Sequence, residues 1–214
     1  MDKNLKSVID KRIDRAAAAL EKNGFTVIRV KAKEDVIPAI AGYIGEGDVV
    51  GIGGSMTLFE TGVIDWLHVN GCKLLDRYEK GLTGEQTREI FRQSLLSDVY
   101  LASANAITED GRLVNVDGNG NRVAAMIFGP KSVIVIAGYN KIVEDVEEAV
   151  YRIETVAAPA NTARLSCKTP CVATGRCMDC KGDTRICNHY TVSGRQATPG
   201  RVKVVLVEEE ELGY

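Results

Sequence analysis

The chain reads as an α/β protein, a mostly parallel sheet flanked by helices, followed by a cysteine-rich segment suited to binding a metal. Three observations predict this. Short apolar runs alternate with stretches of helical periodicity. The run Val133 to Ala137 is unbroken and rich in β-branched residues, as in a strand covered on both faces. Five of the six cysteines in the 214 residues fall between Cys167 and Cys187.

Lys3 to Lys22 opens the protein as a helix, with Leu5, Val8, Ile9, Ile13, Ala16, Ala17 and Leu20 at helical spacing and Asn23-Gly24 as its stop. Phe25 to Val30 reads as a strand, Lys33 to Ile44 as a helix, and Asp48 to Ile52 as a buried strand running into glycines. Thr57 to Val69 reads as a helix, Lys73 to Leu75 as a short strand, Thr83 to Leu95 as a helix and Val99 to Ala102 as a strand. After the strand at Val133, the pattern from Lys141 to Thr155 is helical. From Ala157 the character changes: Pro159, Pro170, Gly175 and Gly182 leave little apolar periodicity until Val202 to Val207, a strand expected to return to the sheet. The expected organisation is an α/β domain over residues 1–156 plus 200–214, carrying a metal-binding segment over 157–199. About 40 residues without a core of their own need a staple to be ordered, and a metal ion is the natural one.

Charge and hydropathy exclude several classes. The formal net charge is only −2, with basic and acidic residues interleaved throughout, so no basic face for nucleic acid announces itself. No apolar run reaches the roughly 18 residues of a membrane span, and the first 22 residues lack the apolar stretch of a signal peptide. The expected compartment is the cytoplasm, where thiols stay reduced and clustered cysteines point to metal rather than to disulfides.

Three constellations carry candidate chemistry. Gly51-Ile52-Gly53-Gly54-Ser55-Met56-Thr57 lies between a strand and a helix, where backbone N–H groups and the Ser55 and Thr57 hydroxyls suit phosphate or carboxylate. It is neither a Walker loop nor a dinucleotide fingerprint. A plain tight turn is the alternative, and Glu60, about one turn on, is either a loop-facing carboxylate or an exposed one. The second is Ser103 to Gly111, then Asn115, then Asp117-Gly118-Asn119-Gly120-Asn121-Arg122, a polar loop in which Arg122 suits a bidentate clamp on an anion. Hairpin turns at Glu109-Asp110-Gly111 and at Asp117 to Asn121 are the equally weighted reading. Lys131, in Gly129-Pro130-Lys131, is a further cation or a surface lysine. The third is Cys167-x3-Cys171-x5-Cys177-x2-Cys180-x6-Cys187, with His189 two residues on. These thiols suit a four-cysteine iron–sulfur centre, with zinc second, although the spacing is not that of bacterial ferredoxins. Cys72 stands apart and reads as a buried structural thiol.

These motifs resemble the LUD family, named for lactate utilisation. The matching stretches are Gly53-Gly54-Ser55-x-Thr57-x-x-Glu60-x-Gly62, Ser103-Ala104-Asn105-Ala106-Ile107-Thr108, Asp117-Gly118-x-Gly120-Asn121-Arg122-Val123, Gly129-Pro130-Lys131 and Asn140-Lys141-Ile142-Val143. The cysteine tail resembles that of a small stand-alone branch. The resemblance implies a fold akin to ribose-5-phosphate isomerase, glucosamine-6-phosphate deaminase and CoA transferases. By motif it places Gly53, Gly54, Ser55 and Thr57 on a small anionic metabolite, with Asn105, Asn121 and Lys131 as further binding residues and Glu60, Asp117 and Arg122 as catalytic candidates. It implies a part in oxidising a 2-hydroxy acid with a 4Fe-4S centre, a redox partner protein and a homo-oligomer. The alternatives are a sugar-phosphate-type isomerase or lyase with a structural metal, and a non-catalytic metabolite-binding subunit.

Overall fold

The most apolar stretches of the chain end in the middle of the larger sheet. A computed structural model describes residues 2–214. In chain order it contains α1 (Lys3–Lys22), β1 (Thr26–Val30), α2 (Val36–Ile40), β2 (Val49–Ile52), α3 (Met56–Glu60), α4 (Val63–Leu67), β3 (Lys73–Leu75), α5 (Gly84–Ser94) and β4 (Val99–Ala102). There follow β5 (Ala106–Thr108), β6 (Leu113–Asp117), α6 (Asn121–Ile127), β7 (Ser132–Gly138), β8 (Ile142–Val143), α7 (Val146–Arg152), α8 (Ala158–Arg164), α9 (Pro170–Thr174), β9 (His189–Ser193) and β10 (Val202–Val207).

The larger sheet has the order β1-β10-β7-β4-β2-β3, and every neighbouring pair is parallel. As expected, Val202–Val207 returns to it, between β1 and β7. Side chains alternate across these strands, so Val133, Val135, Val204 and Leu206 pack under Ile13, Ala16 and Leu20 of α1. Ile134, Ile136, Val205 and Val207 pack on the opposite face against Val36, Ile40, Leu58, Val63 and Leu67. That two-sided burial is why β7 and β10 read as unbroken apolar runs.

A second sheet, β8-β5-β6-β9, carries a smaller core with α7 and α8. Its hairpin β5–β6 occupies the predicted turn. Its outer strand β9 arises within the segment expected to lack regular structure, and pairs antiparallel with β6, Asp117 opposite His189. Among the described residues no helix is long and apolar enough to cross a membrane.

Three predicted helices differ in extent, and the first, Lys33 to Ile44, is α-helical only over Val36–Ile40, with a 3-10 turn on either side. Thr57 to Val69 is broken at Gly62, which takes φ +68° and starts α4 afresh. Lys141 does not begin a helix: Ile142 and Val143 pair with β5, and α7 starts only after Asp145, whose carboxylate accepts from the Glu148 N–H at 2.8 Å. The helix then runs past Pro159 through a π-helical segment, Ile153–Ala157. A proline ring crowds the preceding turn and offers no N–H, and the wider turn just before it accommodates both defects. A helix that periodicity did not show, α6, follows Gly120 at φ +79°, with the Asp117 carboxylate accepting from the N–H groups of Arg122 and Val123.

The β5–β6 hairpin seats on α1 through Gly111. Its φ is +83°, and a Cβ there would lie 2.4 Å from the Ala19 carbonyl carbon and 2.5 Å from the Leu20 nitrogen. Backbone cannot yield as a side chain can, so Gly111→Ala is expected to cost roughly 3 kcal/mol of stability. Denaturant titration reads this as a lower midpoint with an unchanged slope.

Candidate functional site

In a parallel sheet the carboxyl ends of all strands lie along one edge, and the loops that leave them meet there. Here β2 delivers Gly53 to Ser55, β3 delivers Arg77, β4 delivers Ser103 to Asn105, β7 delivers Lys141, and the segment after β10 delivers Tyr214. The second sheet closes the other side with Asp117 to Asn121 and with the start of α8. Between them lies a cavity of about 180 Å³.

Its charge is lopsided. Arg77, Arg122, Lys141 and Arg164 line it against the single carboxylate of Asp117. Arg77 stacks over Phe91, 4.4 Å from the ring centroid, and Arg164 donates to the Asn161 side-chain oxygen at 2.7 and 3.1 Å. Neither of these contacts is to a carboxylate. The Ser55 hydroxyl is buried at the wall with no hydrogen-bond partner among the described residues, a polar atom placed for a ligand.

Arg122 has a different task from the one its sequence position suggests. All five of its N–H groups are spent inside the protein: Nε on Asp117 at 3.0 Å, Nη1 on the Ser103 carbonyl and Asn115 Oδ1 at 2.8 and 2.7 Å, and Nη2 on Asn105 Oδ1 and the Val116 carbonyl, both at 2.9 Å. With no donor left to clamp an anion, it positions the wall. Gly53 serves the same packing, since a Cβ there would meet the Arg122 stem at 3.1 Å.

Of the other candidates, Gly54, Ser55, Asn105, Asp117 and Asn121 line the cavity. Asp117 is committed to Arg122 and to the start of α6. Thr57 is fully buried behind the wall, where its hydroxyl holds Lys141. Glu60 is exposed, and its carboxylate accepts from the Gly213 N–H at 2.7 Å. Lys131 sits at the amino end of β7, opposite the site, with its side chain 88% exposed and paired with Asp98 at 3.3 Å. A residue one step before a parallel strand cannot reach the edge where that strand finishes. The sequence motifs include neither Arg77 nor Arg164, and they hold Lys141 only within the stretch Asn140-Lys141-Ile142-Val143, with no role attached.

Lys141 is strongly altered by its surroundings. It is 2% exposed, and its Nζ meets only hydroxyls, Ser103 at 2.8 Å and Thr57 at 3.0 Å. Burial first, then the nearby charges of Arg152 and Arg122, push it down to about 7, with Glu60 opposing.

A smaller, almost wholly apolar cavity of about 20 Å³ lies alongside, walled by Cys171, Cys177, Cys180 and Cys187. Cys167 is not part of it. Asp179, at φ +43°, points its N–H at Cys177 Sγ, 3.4 Å away, and the Thr162 and Thr169 hydroxyls each lie 3.2 Å from Cys171 Sγ. Burial, then the charge of Cys177, pushes the Cys187 thiol up to about 11. Among the described residues no three Cys, His, Asp or Glu side chains stand at metal-coordinating spacing, so the four thiols share a cavity without being drawn onto one centre. Ala158, Ile186 and Cys187 line both cavities, so the two are separated by a single layer of side chains.

Lys141 also predicts a pH dependence of stability. The unfolded chain keeps its Lys141 proton to about pH 10.5 and the folded chain to about pH 7. The folding penalty is therefore complete below pH 7 and fades as the pH climbs to 10.5. Lys141→Met is expected to stabilise the fold by on the order of a few kcal/mol below pH 7. Urea denaturation across that range should show the gain shrinking toward the alkaline end.

Comparison with known proteins agrees with this architecture. No curated protein sequence matches the chain. Among solved structures, a DUF162 family protein from Deinococcus radiodurans superposes with a TM-score of 0.56 at 18% identity, covering 93% of this chain and 98% of that one. At that identity the likeness speaks for the fold. The delta subunit of eIF2B from Chaetomium thermophilum reaches a TM-score of only 0.31 at 17% identity, over 67% of this chain and 54% of that one, and carries no argument. The LUD domain model matches residues 13–207, which contain every strand of both sheets, and the chain belongs to the LUD domain family.

Proposed function

We propose that the chain binds a small anionic metabolite, a 2-hydroxy or 2-oxo acid, in the larger cavity and takes part in its oxidation beside an iron–sulfur centre held by Cys171, Cys177, Cys180 and Cys187. The observation that carries this is the shared wall: Cys187 faces both the cationic cavity and the thiol-lined one. Arg77 and Arg164 attract the carboxylate, and Ser55 and Asn105 offer it hydrogen bonds. The cysteine set fits such a centre in donor type and number, in its apolar surround, and in having an N–H aimed at Cys177 and hydroxyls beside Cys171. A 4Fe-4S cluster, when bound, supplies one-electron transfer, so a redox partner protein would carry the electrons onward.

Protein purified without oxygen is expected to contain iron and acid-labile sulfide, and to show visible absorption that bleaches on addition of dithionite. Cys187→Ser should lose most of that absorption while Cys167→Ser keeps it. Stoichiometric zinc in place of iron would refute the redox role and leave the metal a structural one. Calorimetry with lactate and pyruvate tests the cavity. Gly54→Val crowds Arg77, which a Cβ at Gly54 already meets at 3.4 Å, and should weaken binding at least about tenfold, ~1.4 kcal/mol. Unchanged affinity would remove this loop from the site.

A further inference from the structure

A buried lysine ordinarily pairs with a carboxylate, because an isolated ammonium in a low-dielectric interior is costly. Lys141 does not. It reaches the cavity wall from the turn after β7 and is held there by two hydroxyls, with Arg122 and Arg152 pressing on it and Glu60 as a weaker counterweight; Asp117 and Arg164 face the same cavity. A hydroxyl serves either state of the amine, accepting from its N–H or donating to its lone pair. Two hydroxyls leave the third substituent position of Nζ for whatever occupies the cavity. The depressed proton affinity leaves a fraction of free amine at neutral pH, the form that attacks carbonyl carbon.

We propose that Lys141 is a carbonyl-capturing amine, forming an imine between its Nζ and the C2 carbonyl of a 2-oxo acid whose carboxylate faces the arginines of the cavity. This deepens the small-acid reading of that cavity and rests on it. Nζ bonds to C2 and the carbon–oxygen double bond breaks. The oxygen leaves as water, carrying one proton from the amine and one from solvent, both within reach of relay by Ser103 or Thr57. The product is a protonated imine, and nothing is oxidised or reduced. A 2-hydroxy acid has no carbonyl at C2, so it occupies the same site without bonding.

The test is trapping. The full chain is mixed with pyruvate, treated with sodium borohydride, digested and analysed by mass spectrometry. The expected result is an adduct on the Lys141 peptide, heavier by the mass of the acid less one oxygen atom. It should exceed any other lysine by about tenfold or more, because exposed amines stay protonated at neutral pH. Excess lactate should suppress it, and Lys141→Arg should abolish it. Adduct spread evenly over surface lysines, or none at Lys141 in wild type, overturns the proposal whether or not the variant folds. Calorimetry on the same protein separates the two claims. Heat of pyruvate binding without an adduct defeats the imine and keeps the small-acid site, whereas neither heat nor adduct defeats both.

Discussion

The Arg122 guanidinium is the constraint on which the rest of the site depends. Its five hydrogen bonds run to the β4–β5 loop and to β6, so one planar group at the start of α6 joins the end of the large sheet to the small one. Asn105 and Asn115 are fixed in turn, each side-chain oxygen accepting from Arg122 and from a backbone N–H, of Val116 and of Asn105 respectively. A buried charge is tolerated when it is paired and fully hydrogen-bonded, and Asp117 completes both conditions. The consequence is a wall whose polar groups are already oriented before any ligand arrives.

Against that settled charge stand groups that are not settled. Arg77 rests on an aromatic ring, Lys141 on two hydroxyls, and Ser55 on nothing. Three such groups gather at the meeting point of the strand ends, where selection for function outweighs selection for stability. An excess of positive charge in a partly enclosed cavity also focuses the local field, drawing in anions from a protein whose net charge is slightly negative.

Much of this was legible in the residues. β7 and β10 announced themselves because burial on both faces leaves no polar position in a strand, and the glycines after Ile52 marked a turn at a strand end. Strand order was not legible, since pairing β10 between β1 and β7 is decided by contacts far apart in sequence. Arg122 was found, but its role was not: a sequence displays a guanidinium and conceals how many acceptors surround it. Apolar spacing on both sides of Lys141 reads as a helix, while the short strand Ile142–Val143 in fact breaks that period. Arg77 lay unnoticed in a charged stretch that reads as solvated surface. The cysteine spacing pointed to a cluster, yet only the fold brings Cys171 to Cys187 round one cavity and leaves Cys167 outside it.

The location of β10 has an effect on how the molecule is made. Strands that flank it, β1 and β7, are synthesised long before it and hydrogen-bond to it rather than to each other. Until residues 202–207 are present, β1 has no partner in the large sheet. The thiol segment precedes that strand in the sequence, so its residues are made before the large sheet can be completed.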